Sequence, residues 1–129
     1  MEMDLDTVFA YAKQAAALGD VEAMCGLASC YKEGIATEVD AVKAFEWFKK
    51  AADLGHPSAM NLLADCYEKG FGTVKDDGKA FFYYKKAVDS GHTGALPGLA
   101  KCYLEGIGVE PDRKKYDELL AEFIMKNNQ

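Results

Sequence analysis

The 129-residue chain repeats itself every 36 residues, and this period constrains its fold more than any other feature. Gly19, Gly55 and Gly91 are spaced by 36, and so are Gly34, Gly70 and Gly106. The pairs Cys30-Tyr31, Cys66-Tyr67 and Cys102-Tyr103 hold the same spacing. Ala23, Ala59 and Ala95 share the register, as do Leu27, Leu63 and Leu99, and Ala28, Ala64 and Ala100. Agreement of so many positions on one period marks a repeat array, in which each unit buries its apolar face against its neighbours.

Each unit contains two helical patterns. The first, helix A, is predicted near Val21–Glu33, Pro57–Lys69 and Thr93–Glu105. In the first copy Ala23, Leu27, Ala28 and Tyr31 fall at i, i+4, i+5 and i+8, which is one helical face. The second, helix B, is predicted near Asp40–Leu54, Asp76–Ser90 and Asp112–Lys126, with Phe45, Phe48, Ala51 and Ala52 as its apolar face. An extra B-type helix near Asp4–Leu18 opens the chain, making about seven helices. Gly19, Gly55 and Gly91 stand where helix B stops, suiting a left-handed terminus. Asp20, His56 and His92 follow at a capping position, and Asp40, Asp76 and Asp112 cap helix B. Pro57 suits a first helical position. Pro97 removes at most one hydrogen bond near the start of its helix, so a small local distortion is expected.

The last copy differs from the others. Tyr116 stands at the position of Ala44 and Ala80, and Phe123 at that of Ala51 and Ala87. Small residues let neighbouring helices approach, and bulky ones cover a core with no further repeat, so residues 112–127 are expected to be a C-terminal cap and the chain's natural end. The predicted architecture is all-α: a solenoid of about three 36-residue helical hairpins in one domain spanning 1–129. Its repeats lie at about 20–55, 56–91 and 92–127, after the extra helix at 4–18.

Charge narrows the function. The chain carries a formal −6 with a pI near 4.9. A protein that neutralises phosphates presents a basic stripe, whereas here lysines are interleaved with acids, so neither nucleic acid nor an anionic membrane is expected as a partner. The acidic start Met1-Glu2-Met3-Asp4 is not a secretory n-region, and no apolar run approaches the roughly 18 residues of a membrane span. The expectation is a soluble, cytoplasmic monomer.

The motif A-x-x-x-L-A-x-x-Y-x-x-G, read as Ala23, Leu27, Ala28, Tyr31 and Gly34, resembles the Sel1-like repeat. So do Gly106-Ile107-Gly108-Val109 with Asp112, and Lys43-Ala44-Phe45-Glu46-Trp47-Phe48-Lys49-Lys50-Ala51-Ala52-Asp53-Leu54-Gly55. Tetratricopeptide repeats are close relatives, but their period is about 34 residues. One departure is Ala36, where later copies have Gly72 and Gly108, so the first loop is expected to differ slightly in shape. The resemblance implies a right-handed α-α superhelix of antiparallel helix pairs, with helix A on the concave side and helix B on the convex side, acting as an adaptor between proteins.

Residues that could carry chemistry mostly obey the repeat. Cys30, Cys66 and Cys102 are equivalent positions, about 10 Å apart by helix packing, beyond the roughly 7 Å reach of a disulfide. Cys25 and Cys30 lie on different faces of one helix. No disulfide is expected, and the thiols read as small core residues. A cysteine-rich branch of the family has β-lactamase-like, penicillin-binding members, with cysteines where this chain has Ala51 and Ala87, and that enzyme is the disfavoured alternative. No Cys or His pair has metal-ligand spacing, and no cofactor is expected. His56 and His92 are repeat-conforming, with no evident nucleophile beside them. Ser29-Cys30-Tyr31-Lys32 fits S-x-x-K, but no S-D-N or K-T-G partner occurs. No catalytic residue is therefore assigned.

What remains are positions that change between copies on one face of helix A. These are Glu22, Ser58 and Gly94; Cys25, Asn61 and Pro97; Ser29, Asp65 and Lys101; and Lys32, Glu68 and Leu104. Asn61, Asp65 and Glu68 would form a mostly acidic-polar groove, where an amide clasps a partner's backbone and carboxylates meet basic side chains. With Lys101 and Ser29 they are the candidate partner-binding residues of a non-catalytic interaction scaffold that takes a peptide or helix in its concave groove. A purely structural spacer in a larger protein is a third reading. Phe82 replaces Ala10 and Glu46 at a solvent-like position and is a possible exposed anchor.

Overall fold

The computed structural model describes residues 4–128. Among them are seven α-helices and no strand: α1 Leu5–Ala17, α2 Val21–Glu33, α3 Ala41–Asp53, α4 Pro57–Lys69, α5 Asp77–Asp89, α6 Leu96–Glu105 and α7 Arg113–Asn127. A 3₁₀ turn, Thr93–Ala95, precedes α6. Helices α2, α4 and α6 are the A type, and α1, α3, α5 and α7 are the B type. Each is packed against the next in an all-α repeat solenoid. No described helix is long and apolar enough to cross a membrane.

Side chains begin most of these helices as the sequence requires. The carboxylates of Asp4, Asp20, Asp40, Asp76 and Asp112 accept from the backbone N–H three residues on, at 2.7–3.1 Å. His56 Nδ1 does the same for Ala59 N–H at 3.1 Å. Such a cap is worth about 1 kcal/mol. His92 departs from this expectation and makes no capping bond. The expected third A helix over 93–105 is likewise not α-helical throughout. Pro97 has no N–H to reach the Thr93 carbonyl, which accepts from Leu96 instead, and the first turn tightens to 3₁₀.

The core is assembled from repeated positions. Ala28, Ala44, Phe48, Ala51, Leu63, Ala64, Ala80, Ala87, Ala100 and Cys102 are fully buried. Alanines at these points let helix axes come close, and the larger side chains fill the space between. The junction from each B helix to the following A helix carries the same aromatic pair three times. Phe9 meets Tyr31, Phe45 meets Tyr67 and Phe81 meets Tyr103 edge-to-face, with centroids 5.6, 5.3 and 5.6 Å apart. Each pair adds about 0.5–1.5 kcal/mol beyond its buried area. In α7 the same position is Asp117, bonded to Arg113 at 3.2 Å, so the aromatic series ends there. Tyr116 and Phe123 pack half-buried on the core, while Ile124 and Met125 stay exposed.

The first A-to-B loop keeps the shape of the others, contrary to expectation. Ala36 adopts φ +62°, close to Gly72 at +73° and Gly108 at +70°. The loop's closing bond explains the match: Asp40 N–H donates to the Tyr31 carbonyl at 2.8 Å, as Asp76 does to Tyr67 and Asp112 to Tyr103.

Candidate functional site

The variable positions of helix A meet across the α2–α4 and α4–α6 junctions. Lys32 Nζ of α2 lies 3.7 Å from Asp65 of α4, which also holds Lys69 at 3.0 Å. Glu68 of α4 accepts from Lys101 Nζ of α6 and from the Tyr84 hydroxyl of α5 at 2.9 Å. The two inter-repeat pairs share one diagonal. Lys32 and Glu68 are equivalent positions, as are Asp65 and Lys101, so the second pair repeats the first with its charges exchanged. Asp65 and Glu68, expected as carboxylates for a partner's basic side chains, are thus already bonded to lysines of this chain. Glu68 is 10% exposed, so its carboxylate depends on these two donors, and removing one leaves it incompletely paired. The bonded Glu68 carboxylate holds the Lys101 ammonium above the usual lysine range.

Tyr84 reaches Glu68 through a gap left by Gly98. A Cβ there would stand 2.8 Å from the ring's Cζ and nearer to its edge. Burial first, and then the bond to the Glu68 carboxylate, push the Tyr84 hydroxyl up. Tyr84 stands at the position of Phe48, and Gly98 at the position of Gly26 and Leu62.

Ser29 lies elsewhere on the same side, in a cleft of about 520 Å³ across the N-terminal halves of α2 and α4. Glu22, Cys25, Ser58, Leu62 and His92 also line it. Asn61 is half-buried on α4, one turn before Asp65, and takes no part in the ion-pair diagonal. Phe82 is not part of this assembly. It projects from α5, 55% exposed, beside a separate groove.

Both ring nitrogens of His56 in the cleft are engaged. His56 Nδ1 accepts the Ala59 N–H, which leaves the ring proton on Nε2, 3.0 Å from the Glu22 carboxylate. Both nitrogens are occupied, so neither is free to deprotonate Ser58 or Cys25. Lys32, the lysine of the S-x-x-K match, turns to Asp65. Cys25, Cys30, Cys66 and Cys102 are free thiols. Burial, then the nearby Asp65, pushes Cys66 up to about 11; burial, then Glu68, pushes Cys102 up to about 12. Burial also raises Cys25 and Cys30, with help from Glu22 and Glu33 respectively. Thiols held protonated in this way are poor nucleophiles. No group of three or more His, Cys, Asp or Glu among the described residues is placed to hold a metal ion.

Comparison with known proteins bears on the fold. A family model described as the Sel1 repeat matches residues 9–20, 21–56, 57–92 and 98–115. The fold is similar to that of c5321, a protective antigen of uropathogenic Escherichia coli with an SLR fold, at TM-score 0.85 and 30% identity over 97% of this chain. It is similar to a Sel1 repeat protein from Oxalobacter formigenes, at TM-score 0.84 and 26% identity over 95% of this chain. This chain spans 26% of the first of those structures and 49% of the second. Helicobacter pylori cysteine rich protein B matches at TM-score 0.69 and 26% identity, over 92% of this chain and 90% of its own. No curated protein sequence matches the chain.

Proposed function

The chain belongs to the Sel1 repeat family, and we propose that it is a non-catalytic scaffold that binds a peptide or helix of a partner protein against its A helices. The observation that carries this reading is the cleft of about 520 Å³ between α2 and α4. Ser29, Ser58 and Ser90 line it beside Glu22, His56 and His92, and the A-helix positions around it change from copy to copy. Ser29 and Ser58 offer hydroxyls to an extended backbone, and Asn61 offers an amide. Lys101 is still 44% exposed at its side chain and can meet a partner's carboxylate or C-terminus. Asp65 and Glu68 fix the lysines and so shape the surface. The occupied His56 ring and the protonated thiols favour binding over catalysis. The chain then acts as one domain, with repeats at about 20–55, 56–91 and 92–127.

Affinity capture from expressing cells tests this, with wild type compared against Ser29→Trp, which fills the cleft without touching the core. At least one protein should be retained by the wild type and lost by the variant while both unfold at the same temperature. Equal recovery of every protein would remove the cleft from the account.

A further inference from the structure

A second surface lies on α5, where the repeat is broken twice at one spot. Phe82 stands where the other B helices carry Ala10, Glu46 and Glu118, and Gly78 stands where they carry Asp6, Val42 and Lys114. Gly78 is one turn before Phe82 on the same side of the helix. Glycine weakens a helix, and packing does not require it here, because a Cβ would meet nothing nearer than the Asp76 carboxylate at 3.4 Å. Its effect is to leave open an apolar groove of about 590 Å³ lined by Gly78, Phe81, Phe82, Lys85, Lys86 and Asp89.

The groove is preorganised and charged at its rim. The Phe82 ring is braced edge-to-face by Tyr83, with centroids 5.0 Å apart. Lys86 Nζ lies 5.8 Å from the centre of the Phe82 ring. Lys85 is bonded to Asp89 at 3.0 Å, whereas Lys86 has no carboxylate partner among the described residues. An exposed aromatic beside a locally unneutralised ammonium complements an apolar side chain with a carboxylate next to it.

We propose that this groove docks a short acidic segment of a partner protein. An aromatic or leucine side chain of that segment fills the space over Gly78 against Phe81 and Phe82, and a neighbouring carboxylate pairs with Lys86. The surface is on a B helix, so a scaffold of this kind holds two partners at once, one on each helix layer. It stands independently of the cleft between α2 and α4.

Selection of a random 12-residue peptide library on the whole chain tests it. Recovered sequences should carry an aromatic or leucine among aspartates and glutamates. The tightest peptide should lose about tenfold or more in affinity with Phe82→Glu, bind more weakly as salt rises, and bind Ser29→Trp unchanged. Phe82→Glu installs the residue of the preceding copy, Glu46. Gly78→Val installs Val42's residue and closes the groove without removing the ring, so it decides the matter should Phe82→Glu fail to fold. No enrichment, basic consensus sequences, or binding that survives Gly78→Val would overturn the proposal. Binding lost only with Ser29→Trp would overturn it too, while supporting the cleft.

Discussion

Each A-to-B loop turns left-handed twice, first at Gly34, Gly70 or Gly106 and again two residues on, at Ala36, Gly72 or Gly108. The three loops share a path but not their surroundings. A Cβ on Gly72 would stand 2.9 Å from the Phe45 Cβ and nearer still to the Ala41 carbonyl. On Gly108 it would meet the Asp77 carbonyl and the Phe81 Cβ in the same way. The register places Leu5 opposite Ala36, and Ala36 already has its methyl, so the first turn of α1 cannot approach its loop as closely as α3 and α5 approach theirs. Leu5 is accordingly 61% exposed, while Ala41 and Asp77 are half-buried. Docking of the loop on the preceding B helix is therefore tight at the second and third junctions and loose at the first.

The sharpest way to break this contrast is Gly72→Ala, which gives the second loop the residue the first one carries. A clash with backbone plus a left-handed alanine should remove roughly 3–5 kcal/mol, read as a large fall in unfolding temperature or as failure to fold. Glu68→Ala should cost about 2 kcal/mol in urea unfolding, because it strips the buried Tyr84 hydroxyl of its acceptor and Lys101 of its partner. Ala36→Gly should instead stabilise, by about 1 kcal/mol, since it relieves a left-handed alanine without opening a contact.

The thiols sharpen the same comparison. Cys30 in the first copy is half-buried, whereas Cys66 and Cys102 are buried. A thiol-reactive chromogen should label Cys30 fastest and reach Cys66 and Cys102 only as the array opens. Folded Cys66 and Cys102 keep their protons up to about 11 and about 12, above the ordinary value of 9.0. Between those limits the unfolded chain has released protons that the folded chain still holds, so their contribution is intact below pH 9 and is lost as pH rises further. Replacing both by alanine should flatten that alkaline decline in stability.

Much of this was legible in sequence, because a period fixes what is equivalent to what. It placed the seven helices, the caps Asp20, Asp40, Asp76 and Asp112, and the repeated tyrosines Tyr31, Tyr67 and Tyr103. It misjudged His92, whose capping role was read from His56; the chain between His92 and α6 tightens into a 3₁₀ turn before Pro97. It misjudged Ala36 because the backbone bond from Asp40 to Tyr31 dictates the loop more than the side chain does. The lysine partners of Asp65 and Glu68 depend on how far one A helix is offset from the next, which no single helix encodes. The exchanged charges along one diagonal were nevertheless present as a signal, at Lys32 with Asp65 and at Glu68 with Lys101.

The binding reading rests on one division: positions obeying the period, together with the ion pairs of Asp65 and Glu68, hold the array together, while the remaining departures on the A helices are proposed to recognise a partner. Backbone amide spectra of the ¹⁵N-labelled chain, recorded while a captured partner is added, test this residue by residue. The largest shifts should fall on Ser29, Ser58, Asn61 and Lys101, with the α7 amides unmoved. Shifts confined to α7, or to residues outside the cleft and the A-helix face, would contradict it.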